Sequence, residues 1–190
     1  MSYAGKYLKA HGQACSIART PAATSYISVK RSSKSTSNFA IRESYWEGLI
    51  LADAVLISGE IVQVGGTNYL VHTASLDVAS GETVWFGTIT NATLTHQRAT
   101  ETSSNGHITE TWAEANADVL AFGQMVNAQM RQSDPGLLDD ATYLFQAQNS
   151  MGFLVLDRLV HGTKNLKIES VDDIGLSGVV RLQCSIDFRP

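Results

Sequence analysis

Two stretches of this sequence run in parallel half a chain apart, and that repetition constrains the fold more than any other feature. Gly66-Thr67 matches Gly162-Thr163, Leu70 matches Leu166, Ser80-Gly81 matches Ser177-Gly178 and Tyr45 matches Tyr143, at offsets of 96 to 98 residues. Both copies read in the same order: strand, Gly turn, strand, Ser-Gly turn, strand. An offset near half of the 190 residues predicts two similar domains, 1–92 and 93–190. Each has room for five or six short strands, and closing so small a sheet removes its free edges. The expected fold class is all-β: two tandem small β-barrel-like domains related by internal duplication, with long polar loops.

Local signals fill in the first copy. Glu60 to Val64 and Thr67 to Thr73 are rich in β-branched and aromatic residues and flank Gly65-Gly66, a pair able to take the positive φ angles of a tight hairpin. Asp77 to Gly81 then reads as a turn and Thr83 to Thr90 as a third strand. In the second copy Leu154 to Val160 leads through His161-Gly162-Thr163-Lys164 into Asn165 to Val171, where Leu166 and Ile168 alternate with Lys167 and Glu169. Asp172 to Gly178 is expected to turn, and Val179 to Ile186 to close the meander. Ala113 to Gln132 fits a helix by its alanines and a strand by its alternation; the duplication favours a strand over Val119 to Val126, in the place of Tyr26 to Lys30. Asp134-Pro135-Gly136 is a turn signal. Arg98 to Gly106, rich in Thr and Ser, reads as a mobile loop.

Charge is split along the chain. Residues 1–42 hold Lys6, Lys9, Arg19, Lys30, Arg31, Lys34 and Arg42 and no acidic residue, whereas the rest carries seven cations against all 18 carboxylates, for a net −4. Such a dipole suits head-to-tail self-association, or docking of the basic part on nucleic acid or an acidic partner. The tightest cluster, Lys30-Arg31-Ser32-Ser33-Lys34, suits phosphate contact without base reading, since no aromatic residue interleaves it.

Chemistry is thinly represented. The sequence contains no phosphate-binding GxxxxGK[ST] loop, no GxGxxG, no HExxH and no GxSxG. The five histidines are scattered, with His72 read as a sheet-surface residue on a strand. Asp139-Asp140 and Asp172-Asp173 read as turn formers, and Trp46, Trp85 and Trp112 as core or interface residues. Cys15 and Cys184, without CxxC spacing, are expected to be reduced and packed as small hydrophobes. No apolar run reaches the length of a membrane-spanning helix, and Met1 to Ala14 lacks the apolar core of a secretory signal. The expectation is a protein that is not an enzyme, needs no cofactor or metal, and has no membrane partner.

Several segments resemble the neck proteins of tailed bacteriophages, in particular the head-closure (head-to-tail connector or stopper) proteins of siphoviruses. They are Arg42-Glu43-Ser44-Tyr45-Trp46-Glu47-Gly48, the hairpin from Ser58 to Val71, Arg131 to Leu138, Leu156 to Val160, Glu169 to Ile174 and Gly178 to Gln183. Usual members of the class have one barrel where this chain reads as two. The resemblance implies a virion protein, assembled in the host cytoplasm, that forms a homo-oligomeric ring beneath the portal or an adaptor. It would retain packaged double-stranded DNA, which passes through the lumen unread, and offer a surface to a tail terminator or tail-tube protein. Lys30, Arg31 and Lys34 are then candidates for an inter-subunit or DNA-proximal patch, and Arg98, Glu101, Asn105 and Gly106 for a loop facing a partner or the lumen. A tail terminator or tail-adaptor ring, and a free β module binding a ligand on exposed Trp and Tyr, are the rival readings.

Overall fold

A computed structural model describes residues 2–32, 44–104 and 107–189. The chain opens on a helix that the sequence reading does not anticipate, α1 (Tyr3–His11), capped by the Ser2 hydroxyl, which accepts from the Gly5 N–H at 2.8 Å. The first barrel follows, from β1 (Gln13–Ile17), β2 (Ala23–Ile27), β3 (Lys30–Arg31), β4 (Tyr45–Ile50), β5 (Ile61–Val64), β6 (Thr67–Asp77) and β7 (Glu82–Ile89). Its antiparallel strands are ordered β2-β1-β5-β6-β7-β4, and Ile27 pairs with Ile50 to bring β2 against β4 and close the ring. The short β3 continues β2 along β4.

The second barrel comprises β8 (Ala92–Ser104), β9 (His107–Met125), β10 (Tyr143–Gln148), β11 (Arg158–His161), β12 (Lys164–Leu176) and β13 (Val179–Ile186), with a short helix α2 (Ala128–Ser133) after β9. Its order, β9-β8-β11-β12-β13-β10 and back to β9, repeats that of the first. The duplication is therefore structural, and its register is uniform. Ile61 pairs with Leu70 as Arg158 pairs with Lys167, Thr90 N–H meets Asn68 C=O as Asp187 N–H meets Asn165 C=O, and each couple lies 97 positions from its counterpart. Even the bulges coincide, at His72 in β6 and Glu169 in β12. The 96 and 98 offsets seen in sequence are one-residue slips: Leu166 stands where Tyr69 does, and Tyr143 where Trp46 does.

Alternation along the strands sends one apolar set into each barrel. Ile17, Ile27, Ile50, Val62, Val71 and Trp85 fill the first; Leu94, Val119, Phe145, Leu159, Ile168 and Leu182 fill the second. Trp85 is fully buried, its indole N–H donating to the Ser28 carbonyl at 3.2 Å. A third apolar cluster joins the barrels, with Ile61 and Leu70 of the first packed on Val179, Leu120 and Leu176 of the second. Cys15 and Cys184 are buried free thiols, Cys15 pushed up to about 11 by burial.

Several expectations need correction. Arg98 to Gly106 is not a loop as far as it is described: Arg98 to Ser104 belong to β8 and pair residue by residue with His107 to Ala113, where Thr100, Thr102, Thr109 and Thr111 put a β-branched residue at alternate positions of both strands. Ala113 to Met125 is strand, as favoured, but Asn127 then caps α2 by accepting from Met130 N–H at 2.8 Å. The strand expected from Leu154 begins only at Arg158, after a turn with Leu156 at positive φ. Asp172 to Leu176, expected to turn, remain in β12, and the turn is Ser177-Gly178 alone. His72 is buried among Tyr45, Phe86 and Thr88 rather than lying on an open sheet surface.

Candidate functional site

The polar groups that the fold draws together form two equivalent corners. In the first barrel Arg19 donates to Glu60 Oε1 at 3.0 Å and to the carbonyls of Val55 and Ala54, while Glu60 Oε2 accepts from Ile57 N–H at 3.0 Å. In the second, Arg98 donates to both oxygens of Asp157 at 3.1 and 2.8 Å and to the Gly152 carbonyl, while Asp157 Oδ2 accepts from Leu154 N–H at 2.9 Å. Each carboxylate immediately precedes a short strand, and each arginine ties it to the preceding turn.

The second corner carries one group more. His96 pairs with Leu159 at the position where Ile17 pairs with Val62, so a histidine replaces a core isoleucine. Its Nε2 lies 2.7 Å from Asp157 Oδ2 and its Nδ1 2.8 Å from Asn116 Nδ2, which also donates to the Met151 carbonyl. The amide is the donor on that side, so the imidazole proton sits on Nε2 and is given to Asp157. Burial works against the Asp157 carboxylate, but the hydrogen bonds from Arg98, His96 and Leu154 N–H outweigh it and hold its pKa below the usual carboxylate range. Arg98, His96 and the Leu154 N–H thus converge on one carboxylate, and Asn116 fixes the far side of the imidazole. Sequence reading missed it because His96 and Asp157 are 61 residues apart and no short motif joins them.

From this corner β8 and β9 leave the barrel together. Beyond Gln97 and Glu114 the ribbon has no further strand neighbour on either side among the described residues, and it extends over Arg98 to Ser104, about 23 Å at ~3.3 Å per residue. Glu101 is exposed on it and stands directly opposite Glu110, a like-charge cross-strand pair. Its base is clamped by the chain's end. The guanidinium groups of Arg158 and Arg189 both lie over the Trp112 ring, 3.8 and 4.6 Å from its centroid. Asp187 binds both arginines at 2.8 to 3.0 Å; burial opposes its charge, yet the bonds from Arg189 and Arg158 hold it down to about 2.

The residues singled out from sequence do not converge. Lys30 lies 3.4 Å from Glu47 and is largely exposed; Arg31 lies 5.8 Å above the Trp46 ring. Both sit on β3 at the first barrel, whereas Arg98 and Glu101 lie on the ribbon of the second. Arg98 is paired with Asp157 while its side chain stays 42% exposed. Lys34, Asn105 and Gly106 lie outside the described residues. An open groove of about 750 Å³ beside β1 and β2 brings Lys9, Arg19 and Asp53 near Tyr26. Among the described residues no three His, Cys, Asp or Glu side chains group as metal ligands. No known protein-family model matches the chain, and no curated protein shows significant sequence similarity to it.

Proposed function

We propose that this protein is a non-enzymatic structural subunit of a tailed-bacteriophage neck, forming a ring beneath the portal that closes the DNA-filled head and receives the tail. The observation that carries this reading is the β8–β9 ribbon. Two-stranded ribbons are marginal on their own, and a ribbon with both edges open is a template for pairing with another chain. Both barrels, in contrast, are closed and offer few edges of their own. A molecule built as two rigid closed units with one open arm is suited to being gripped by neighbours. Glu101, exposed on the arm, would also repel a DNA backbone and let it slide. Exposed Lys30 and Arg31 on the other barrel supply the opposite charge for a neighbouring copy or for DNA.

The test uses DNA-filled, tailless phage heads and purified protein. Wild-type protein is expected to bind the portal end as a ring seen by electron cryomicroscopy and to protect the genome from added nuclease. A chain carrying Lys30→Glu, Arg31→Glu and Lys34→Glu should bind more weakly; unchanged binding and genome retention would remove the patch from the mechanism. A ring found only at the tail end would reassign the chain to a tail terminator or tail adaptor. Failure to bind any phage particle, with a large rise in melting temperature on adding a small ligand, would replace the reading by a ligand-binding module.

A further inference from the structure

Beside the apolar cluster that joins the barrels, the seam inside the chain includes a close contact between one loop and one turn. Residues Ser58 and Gly59 press against Gly178, so closely that a Cβ on Gly59 would stand 2.1 Å from the Gly178 carbonyl oxygen. The Gln148 amide donates to the Gly59 carbonyl across the seam at 2.8 Å. Because the barrels repeat, each half of this contact has a second version in the chain. The equivalents of Ser58 and Gly59 are Val155 and Leu156, and the equivalent of Gly178 is Gly81. Here neither is joined to the other barrel.

Both surplus halves are apolar and open. Leu154, Val155 and Leu156 are 53 to 56% exposed. Leu156 is moreover held at φ +75, a conformation costly to a side-chain-bearing residue. On the first barrel, Leu76 is 63% and Val78 91% exposed beside Gly81, and an added Cβ at Gly81 would meet only the Ser2 side chain, at 3.6 Å. Three consecutive apolar residues projecting from a turn are surface that water disfavours and a partner would cover.

We propose that the Leu154–Leu156 loop of one copy seats on the Leu76–Gly81 turn of a second copy, in the relation that the Ser58-Gly59 loop bears to Gly178 within the chain. Leu156 has a side chain where Gly59 has none, so the two backbones stay further apart and apolar side chains make the contact. The contact is heterologous: every copy retains one free loop and one free turn, so addition continues, and it ends in a ring where the rotation per copy closes. The inference rests on the ring reading above for its occupant, a second copy of this chain.

Head-to-tail contacts have a distinctive test. Wild-type protein is expected to show mass rising with concentration in sedimentation velocity. Val155→Asp, which spoils the loop alone, and Val78→Asp, which spoils the turn alone, should each associate at least tenfold more weakly, with unchanged circular dichroism. Mixed one to one, the two variants retain one intact loop and one intact turn between them, and should form dimers and nothing larger. A wild-type chain that keeps the one-chain mass at every concentration overturns the inference, as do variants that assemble like wild type or a mixture that stays monomeric. If the chain stays monomeric in solution yet rings and protects phage heads, this contact fails while the neck reading stands; head-to-tail assembly without head binding gives the converse.

Discussion

Gly59 and Leu156 occupy one position in two barrels: each has a left-handed backbone, φ +85 and +75, and each donates its N–H at 2.8 Å to the same carbonyl of the following hairpin, Val71 or Ile168. Only the glycine is pressed against a neighbouring backbone. Gly59→Ala should therefore be costly twice over, by about 1–2 kcal/mol for a left-handed Cβ and about 1–3 kcal/mol for crowding Gly178. Leu156→Gly relieves the first cost and opens no tight packing, so its urea midpoint should stay close to wild type or rise. Equal destabilisation by the two would mean that the seam does not depend on that approach.

His72 gives the fold a pH dependence. Burial lowers its pKa from 6.5 to about 4 while its Nε2 lies 3.1 Å from the Thr88 hydroxyl. The unfolded chain binds the proton more readily than the folded one between those values. Stability is therefore full above about pH 6.5 and falls as the pH drops toward 4, by on the order of 3 kcal/mol at ~1.4 kcal/mol per unit. His72→Gln keeps a partner for Thr88 and removes the titration. Its urea-unfolding free energy should be flatter than wild type between pH 7 and 4.5; identical slopes would contradict the assignment.

The hairpin from Ile61 to Asp77 is legible in the sequence because its signal is local: two β-rich runs around Gly65-Gly66, both glycines at positive φ. The duplication is legible too, but its register is not. Identity matching aligned Leu70 with Leu166 and Tyr45 with Tyr143, whereas the fold aligns Tyr69 with Leu166 and Trp46 with Tyr143, pairs that differ in residue type and keep the same strand position. The ribbon was hidden by composition, since Thr and Ser favour turns by their hydroxyl groups and strands by the β-branch of Thr. The His96–Asp157–Arg98 corner and the Gly59–Gly178 seam depend on residues far apart in the chain, which no pattern of spacing reveals.

The two thiols offer a check on both cores at once. Cys15 packs in the first barrel and Cys184 in the second, each with its pKa raised chiefly by desolvation. A thiol-reactive dye at pH 8 should leave the native protein unlabelled for hours and modify both cysteines in denaturant. Rapid labelling of Cys184 alone would mean that the second barrel opens independently of the first.

The clamp at Trp112 makes the ribbon's order depend on the chain's end. Arg189 lies over the indole, approaches Glu110 at 3.8 Å, binds Asp187 and donates to the Leu156 carbonyl, while Arg158 also lies over the ring and donates to the Arg189 carbonyl at 2.8 Å. Arg189→Ala removes the exposed half of this arrangement and leaves Arg158 paired with Asp187. The ribbon would then keep its barrel root, through Thr95 to Gln97 on β11, and lose its anchor further out. Hydrogen exchange should accelerate at least tenfold over residues 108–113, with little change in the β11–β13 amides and a small fall in melting temperature. Arg189→Lys retains the charge but not the planar stack and the paired bonds to Asp187, so it should recover only part of the protection. Uniform acceleration across the second barrel would show instead that the clamp supports the barrel itself.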